Sequence, residues 1–545
     1  MPAIPSALRR TPRRTVALTV AVIGVIALAG CAAGGTGGAE VPQVLTYLDA
    51  EVPTSAQVQE SGTWQTRALQ QNVTDRLISR NPETNELEPW IAESWEQSAD
   101  GLDYTFVIRD GVTYSDGTPL DVNSVKKNLE WQSAGDPDNG VSANGQFPAD
   151  ITVTVDEAAR EVHVHLAEPY APLLNVLSSW SAGLVADATI DAPYEEQTQF
   201  INLIGSGPFV VTSETYAQEI VLTRRDGYAW APQSSENQGE AYLETLTWIP
   251  VEEDSVRLGT LTSGEAGAIR YVEPSEEASL SAQGYHVQSK TGVGLSNQWF
   301  LRPTTVPLDD LAVRRAVSHA IDREAILEAI YTDNWSAATS PLAPGTDGYV
   351  DESAKFAYDP VQAADLLDEA GWTRKDADGY RTKDGERLHL KTYVDVYDNT
   401  AKSLFQHVQA QLKDAGIELE LDELDYSSYW GTAFADPEVG FLRVGWPHPD
   451  SGVGLAEYYS ADGSDLLGLD GSDSTLEELL QQQYTLVSPA DREAALGRIQ
   501  DYLIDNAYVL PILNDSQVIV TRPEVEGFAF TDGALPSFYN VKITS

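Results

Sequence analysis

The run Phe441-Leu-Arg-Val-Gly-Trp-Pro-His-Pro-Asp450 brings an indole, an imidazole and a carboxylate within five positions, and Tyr458 and Tyr459 follow it. Such a set suits recognition of a small molecule. Trp446 offers an aromatic wall, His448 a donor or metal-chelate contact, and Asp450 an anionic partner for a cationic group. Each also has a plainer reading, as a core tryptophan, a histidine packed in its loop and a structural aspartate. Trp299, upstream of Val306-Pro-Leu-Asp-Asp310, and Tyr271 are further candidates for a ligand-facing aromatic surface, and each reads equally well as core.

Catalytic patterns are missing from the sequence. It has no His-Glu-x-x-His run, no Gly-x-Ser-x-Gly elbow and no phosphate-cradling loop with its lysine. With 83 Asp and Glu, carboxylate pairs are expected by number alone, so none is assigned a glycosidase role. His163 and His165 share one face of a strand, but no third metal ligand stands near them, and a polar strand face explains them. Asp376-Ala-Asp-Gly379 begins like a calcium loop and fails at the later ligand positions, which leaves a hairpin turn. The chain is read as a binding protein and not an enzyme, with no metal and no cofactor.

The only cysteine, Cys31, ends the run Leu28-Ala-Gly-Cys31, after Arg9, Arg10, Arg13, Arg14 and an apolar stretch from Val16 to Leu28. A charged segment, a short apolar segment and small residues make an export signal over 1–30, too short for a membrane span of ~20 residues. The residues after Arg13-Arg14 fit a twin-arginine signal poorly, so the ordinary secretory route is preferred. Cys31 resembles the lipobox cysteine of bacterial lipoproteins, which implies a diacyl anchor, durable where a single chain would be marginal. A buried core cysteine is the competing reading. Residues 31–41 are glycine-rich and read as a flexible tether.

The formal charge of −49 becomes −49 − 4 = −53 once the four leader arginines are removed. Nucleic acid and anionic lipid are poor partners for such a surface. No disulfide can brace the fold, so its cores must be packed from the remaining length, enough for two or three domains.

The elements needed to position these residues change along the chain. Tyr104–Arg109 and Val112–Ser115 read as strands ending at Asp-Gly turns, and a helix follows, capped by Asp121, with Val122, Val125 and Leu129 on one face. Strands are expected within Ile151–Leu166, Ile220–Thr223 and Leu246–Val251. Beyond Leu311 helices dominate: Leu311–Ala329, Pro360–Ala370, Lys402–Ala415, Leu476–Leu486 and Ala490–Ile504. Asp359-Pro360 with Gly371 brackets one of them, and Ser474 with Glu477 forms a capping box at another. Strands Leu388–Val394 and Ile417–Leu421 lie between, and Val518–Thr521 and Phe528–Phe530 close the chain.

Leu87-Glu-Pro-Trp-Ile-Ala-Glu-Ser-Trp95 and the stretch Asp100 to Pro119 closely resemble the family 5 extracellular solute-binding proteins, the peptide and nickel binders of ABC importers. Further matches come in that family's order: Ile204-Gly-Ser-Gly-Pro-Phe209, Ser263-Gly-Glu265, Val313-Arg-Arg-Ala-Val317, Ala320-Ile-Asp-Arg323, Tyr358-Asp-Pro360, Ala370-Gly-Trp372 and Pro511-Ile512. The resemblance implies an α/β, two-lobed periplasmic-binding-protein-like fold with an additional β-rich subdomain in the first lobe. Lobe I is expected over 42–268, lobe II over 269–514, and a return to lobe I over 515–545. It implies a lipid-anchored receptor on the extracytoplasmic face of the membrane, periplasmic where an outer membrane exists. Its partners are a peptide or other small solute and an ABC permease, and a tethered monomer is the simplest state. An extracytoplasmic hydrolase and a non-transporting sensor are the alternatives. In peptide-binding relatives a Gly-Trp segment like Gly445-Trp446 precedes a loop whose aspartate pairs with the ligand's ammonium group. The loop here is shorter, and Asp450 is the nearest carboxylate for that role, so Asp450→Asn is expected to weaken the binding of a cationic ligand about ten- to a hundredfold.

Overall fold

The computed structural model describes residues 41–60, 62–394, 400–424 and 426–545, with the side chains of Tyr426, Ser427, Trp430, Trp446 and Pro447 outside that description. The leader, Cys31 and most of the tether lie outside the described residues.

The elements that carry the argument are, in chain order, β1 (Val44–Asp49), α1 (Trp64–Gln70), β2 (Ala92–Gln97), β3 (Asp103–Ile108), α2 (Val122–Ala134), β4 (Thr152–Asp156), β5 (Glu161–His165), β6 (Phe209–Thr215), β7 (Glu219–Arg224), β8 (Thr245–Pro250), β9 (Ala268–Arg270), β10 (His286–Thr291) and β11 (Gly294–Leu301). Then follow α3 (Leu311–Ala320), β12 (Ser336–Ala337), α4 (Ala401–Ala415), β13 (Phe441–Pro447), α5 (Ser451–Tyr459), α6 (Pro489–Asp505), β14 (Val509–Asn514) and β15 (Ser516–Thr521).

A seven-stranded mixed sheet, ordered β10-β15-β9-β1-β8-β7-β6, organises the first lobe, with β1 parallel to both β8 and β9. Alternation in β1 turns Tyr47 inward, where its ring meets Trp248 of β8 edge-on at 4.5 Å and Phe538 at 5.1 Å. Phe538 thus ties the C-terminal segment to this core. An antiparallel sheet, β2-β3-β5-β4, adds the β-rich subdomain and buries Tyr104 and Phe106 in the same core. Asp121 caps α2 as expected, accepting from the backbone of Asn123 at 2.9 Å and Ser124 at 3.0 Å.

The second lobe is built on the antiparallel sheet β12-β14-β11-β13. Every residue of β11 is buried, since the strand is central and covered on both faces. Trp299 of β11 is fully buried, stacked on Phe441 at 4.9 Å and edge-on to Phe405 of α4 at 5.5 Å. The two largest apolar cores form on these two sheets, one in each lobe.

The chain passes between the sheets twice. The first passage lies between Thr291 and Gly294, not at Ala268, because β9 and β10 both pair with β15 in the first sheet. The return is at Asp515, between β14 and β15. The two crossovers touch: Gly292 N–H donates to the Asp515 carbonyl at 3.0 Å, and the hydroxyls of Thr291 and Ser516 are 3.3 Å apart. Gly294 has φ +109° and lies so close to the His448 backbone nitrogen that a Cβ there would overlap it.

Some elements differ from the sequence expectation. Leu311–Ala329 is two helices, the second starting at Arg323 with Asp322 accepting from Ala325 N–H at 3.0 Å. Val112–Ser115 forms no ladder and only an isolated bridge at Thr113. Its carbonyls at Thr113 and Tyr114 are taken by the Arg225 guanidinium, which substitutes for a strand partner. The cap of the helix Ser474–Gln482 is Asp473, not Ser474.

Candidate functional site

Three cavities lie in series between the lobes. The first, of about 640 Å³, takes Arg67, Gln146 and Trp180 from the first lobe and His448, Glu457 and Tyr458 from the second. A second of about 150 Å³ shares Arg67 with it and lies against both crossovers, at Gly292 and Asp515. A third of about 780 Å³ shares Glu51, Gln65, Tyr271 and Trp335 with the second. The first cavity falls in the size range of small-molecule sites, and its walls come from both lobes.

Arg67 stands where the first two cavities meet. It projects from the short helix α1, donates to the Gly62 carbonyl at 3.2 Å and lies 4.7 Å over the Trp180 ring. Burial lowers its guanidinium to about 10, with Tyr458 and Glu457 acting in the other direction. Across the cavity Glu457, on α5, lies 3.3 Å from His448 Nε2. Burial works against its charge, but the His448 contact prevails and holds the carboxyl below its ordinary range. Cation and anion thus line one cavity from opposite lobes.

His448 is almost completely buried yet borders this cavity. Its Nδ1 is 2.7 Å from the Asp450 carbonyl, and Gln146 Nε2 of the first lobe is 3.3 Å from its Nε2. With Nδ1–H donating to that carbonyl, Nε2 accepts from Gln146 in the neutral ring and donates to Glu457 in the charged one.

Tyr271 borders the second and third cavities. It holds φ +56°, a conformation a non-glycine residue adopts at a cost of about 1–3 kcal/mol. Its hydroxyl accepts from Arg270 at 3.0 Å, and the Arg270 guanidinium lies between the rings of Trp64 at 3.7 Å and Tyr271 at 4.2 Å.

Two candidates sit elsewhere. Trp299 does not reach the cavities, because β11 is covered on both faces and its ring fills the second core. Asp450 is fully buried and its carboxylate is already engaged. Arg492 binds it twice, at 2.6 and 2.7 Å, Val453 N–H at 2.9 Å makes it the cap of α5, and Asn175 of the first lobe donates at 2.8 Å. Burial pushes this carboxyl up, but Arg492 and the other donors outweigh burial and bring it to about 2. A carboxylate so saturated has no lone pair left for a ligand ammonium. The Trp446 side chain lies outside the described residues; its backbone pairs with Leu295.

Sequence reasoning missed Arg67, Trp180, Glu457 and Arg270. None sits in a motif, and they converge only through packing. Adjacency to Tyr271 was the one available signal for Arg270. Other readings resolve simply. His165 is 2.8 Å from Asp103, His163 is 3.0 Å from Thr105, and no cluster that could hold a metal occurs among the described residues. Asp376 closes a hairpin turn, accepting from the backbone of Asp378 at 2.9 Å and Tyr380 at 3.0 Å.

The lobes also meet beside the first cavity. Arg80 lies 3.6 Å from Asp347, Asn85 donates to the Gly345 carbonyl at 2.8 Å, and Tyr170 stacks on Tyr484 at 5.6 Å. The cleft is therefore closed.

Comparison with known proteins bears on this arrangement. A profile described as bacterial extracellular solute-binding proteins, family 5 Middle, matches residues 86–464. The glutathione-binding protein GsiB of Escherichia coli O1:K1 is 26% identical over 454 residues, 80% of this chain and 82% of its own length. NikA from Brucella suis, solved in complex with Fe(III)-EDTA, superposes with a TM-score of 0.76 at 23% identity, covering 91% of this chain and all of NikA. The substrate-binding protein CtaP of Listeria monocytogenes superposes with a TM-score of 0.78 at 18% identity, covering 93% of this chain and all of CtaP.

Proposed function

We propose, from the premise that this chain belongs to the bacterial extracellular solute-binding proteins of family 5, that it is anchored by an acylated Cys31 and closes on a zwitterionic, peptide-sized solute for delivery to a permease. Membership alone carries the coarser statement. The chain is the substrate-binding component of an ABC importer, works outside the cytoplasm and takes a small organic or peptide ligand.

The observation that carries the finer reading is the first cavity. Its volume of about 640 Å³ is lined by both lobes, with Arg67 from the first and Glu457 from the second. A solute with one carboxylate and one ammonium group pairs with both, and only when the lobes are together. Binding then favours the closed form by the affinity difference between the two states, and closure is what a permease reads. The glutathione named for GsiB is a zwitterionic tripeptide of suitable size. The leader and lone cysteine support the anchor.

Small-angle scattering with glutathione and a set of free di- and tripeptides tests this reading. The radius of gyration should fall as a binding solute saturates the protein, and the solute should be recovered intact. An unchanged radius at saturation, or turnover of the bound peptide, refutes it.

A further inference from the structure

We propose that the small second cavity is an anion subsite, taking a carboxylate of the solute between Arg67 and Arg270 with the indole N–H groups of Trp64 and Trp335 as additional donors. This deepens the receptor reading and rests on it.

The cavity is rich in unspent donors. Arg270 is buried and uses three of its five N–H groups, on Asp49, Gln517 and the Tyr271 hydroxyl, each at 3.0 Å. Those contacts, with the Trp64 and Tyr271 faces, fix the guanidinium in place and leave two donors. The indole N–H groups of Trp64 and Trp335 are buried and have no acceptor in the structure. Unpartnered indoles also occur deep in the cores, at Trp248 and Trp299. What separates the cavity pair is that two buried guanidiniums line the same space.

Two of the acids there are committed. Asp49 pairs with Arg270 at 3.0 Å and Asp515 accepts from Asn297 at 3.0 and 3.3 Å, while Glu51 also lines the cavity. A carboxylate supplies acceptor lone pairs, on a planar group that fits beside a guanidinium, to the donors left over. The volume, about 150 Å³, admits that group with a few attached carbons. Arg67 lies at the mouth, lining both this cavity and the first. The strained φ of Tyr271 holds its ring and hydroxyl against Arg270, a fixed geometry of the kind found at binding sites.

The test needs no knowledge of the natural solute. The full chain, labelled with ¹⁵N in its indoles, is titrated with sodium acetate and, at matched ionic strength, with acetamide. The Trp64→Phe and Trp335→Phe variants assign the two signals. Acetate should move both saturably, acetamide should move neither, and the Trp248 and Trp299 signals should stay still. Trp335→Phe, which keeps a ring but removes a donor, should weaken acetate binding about five- to tenfold. Still signals for Trp64 and Trp335, or equal shifts with acetamide, overturn the subsite, as does unchanged acetate affinity in Trp335→Phe. Closure of the same chain on a zwitterionic peptide, with the Trp64 and Trp335 signals still, would overturn the subsite and leave the receptor reading standing.

Discussion

Replacing Asp450 by Asn should cost the protein stability, with little direct effect on solute contacts. The side chain is fully buried, and its two oxygens accept from Arg492, Val453 and Asn175. Asparagine keeps an acceptor for the cap of α5, a position it fills well. Its amide, however, turns a donor toward the Arg492 Nη1 and Asn175 Nδ2 donors and removes the charge that Arg492 faces. The shift from 3.8 to about 2 corresponds to about 2.4 kcal/mol at about 1.4 kcal/mol per unit. Breaking a buried pair by removing one partner costs about 3–5 kcal/mol. Arg492 still donates to Gln483 at 2.8 and 3.1 Å, which moderates the loss, so about 3 kcal/mol is expected at pH 7. Urea unfolding followed by tryptophan fluorescence measures it. The pH dependence supplies the sign. Because folding depresses this carboxyl, its contribution is complete above pH about 4 and fades as pH falls toward about 2. The gap between wild type and variant should therefore close over that window. An unchanged midpoint at pH 7, or a gap that persists at pH 2, refutes the reasoning. A hundredfold loss of solute affinity with unaltered stability would restore Asp450 to the binding site.

Two further predictions concern other parts of the molecule. Cys31→Ala should abolish incorporation of labelled fatty acid and release the chain from the membrane fraction, and retained label would refute the anchor. Asp75 is fully buried, and burial pushes its carboxyl up to about 6 despite donors on Trp230 and Tyr228. A raised folded value means the stabilising protonated form is complete below pH about 4 and lost as pH rises through about 6, at a cost of about 3 kcal/mol. Asp75→Asn should flatten that slope in urea midpoints measured from pH 4 to 7, and an identical slope in the variant would rule Asp75 out as its source.

Local order along the chain was legible because it depends on neighbours in sequence. Asp121 before α2, Asp359-Pro360 at the start of a helix and the Asp376 turn each satisfy backbone groups within a few residues, so residue type and spacing are enough. The family resemblance, spread in order along the chain, likewise carried the two-lobed α/β fold. Of the residues singled out from the sequence as ligand-facing, His448 and Tyr271 border the cavities. Asp450 does not: a carboxylate before a helix reads equally as cap or ligand, and Arg492, 42 residues on, together with Asn175 in the other lobe, decides the matter. Trp299 became core because β11 lies centrally in its sheet, and the first crossover moved from Ala268 to beyond Thr291 because β9 and β10 share the partner β15. Arg67, Trp180, Arg270 and Glu457 share no local pattern at all. Strand partners, ion-pair partners and cavity walls are long-range choices, fixed only when the burial of one surface against another determines which polar groups must be satisfied where.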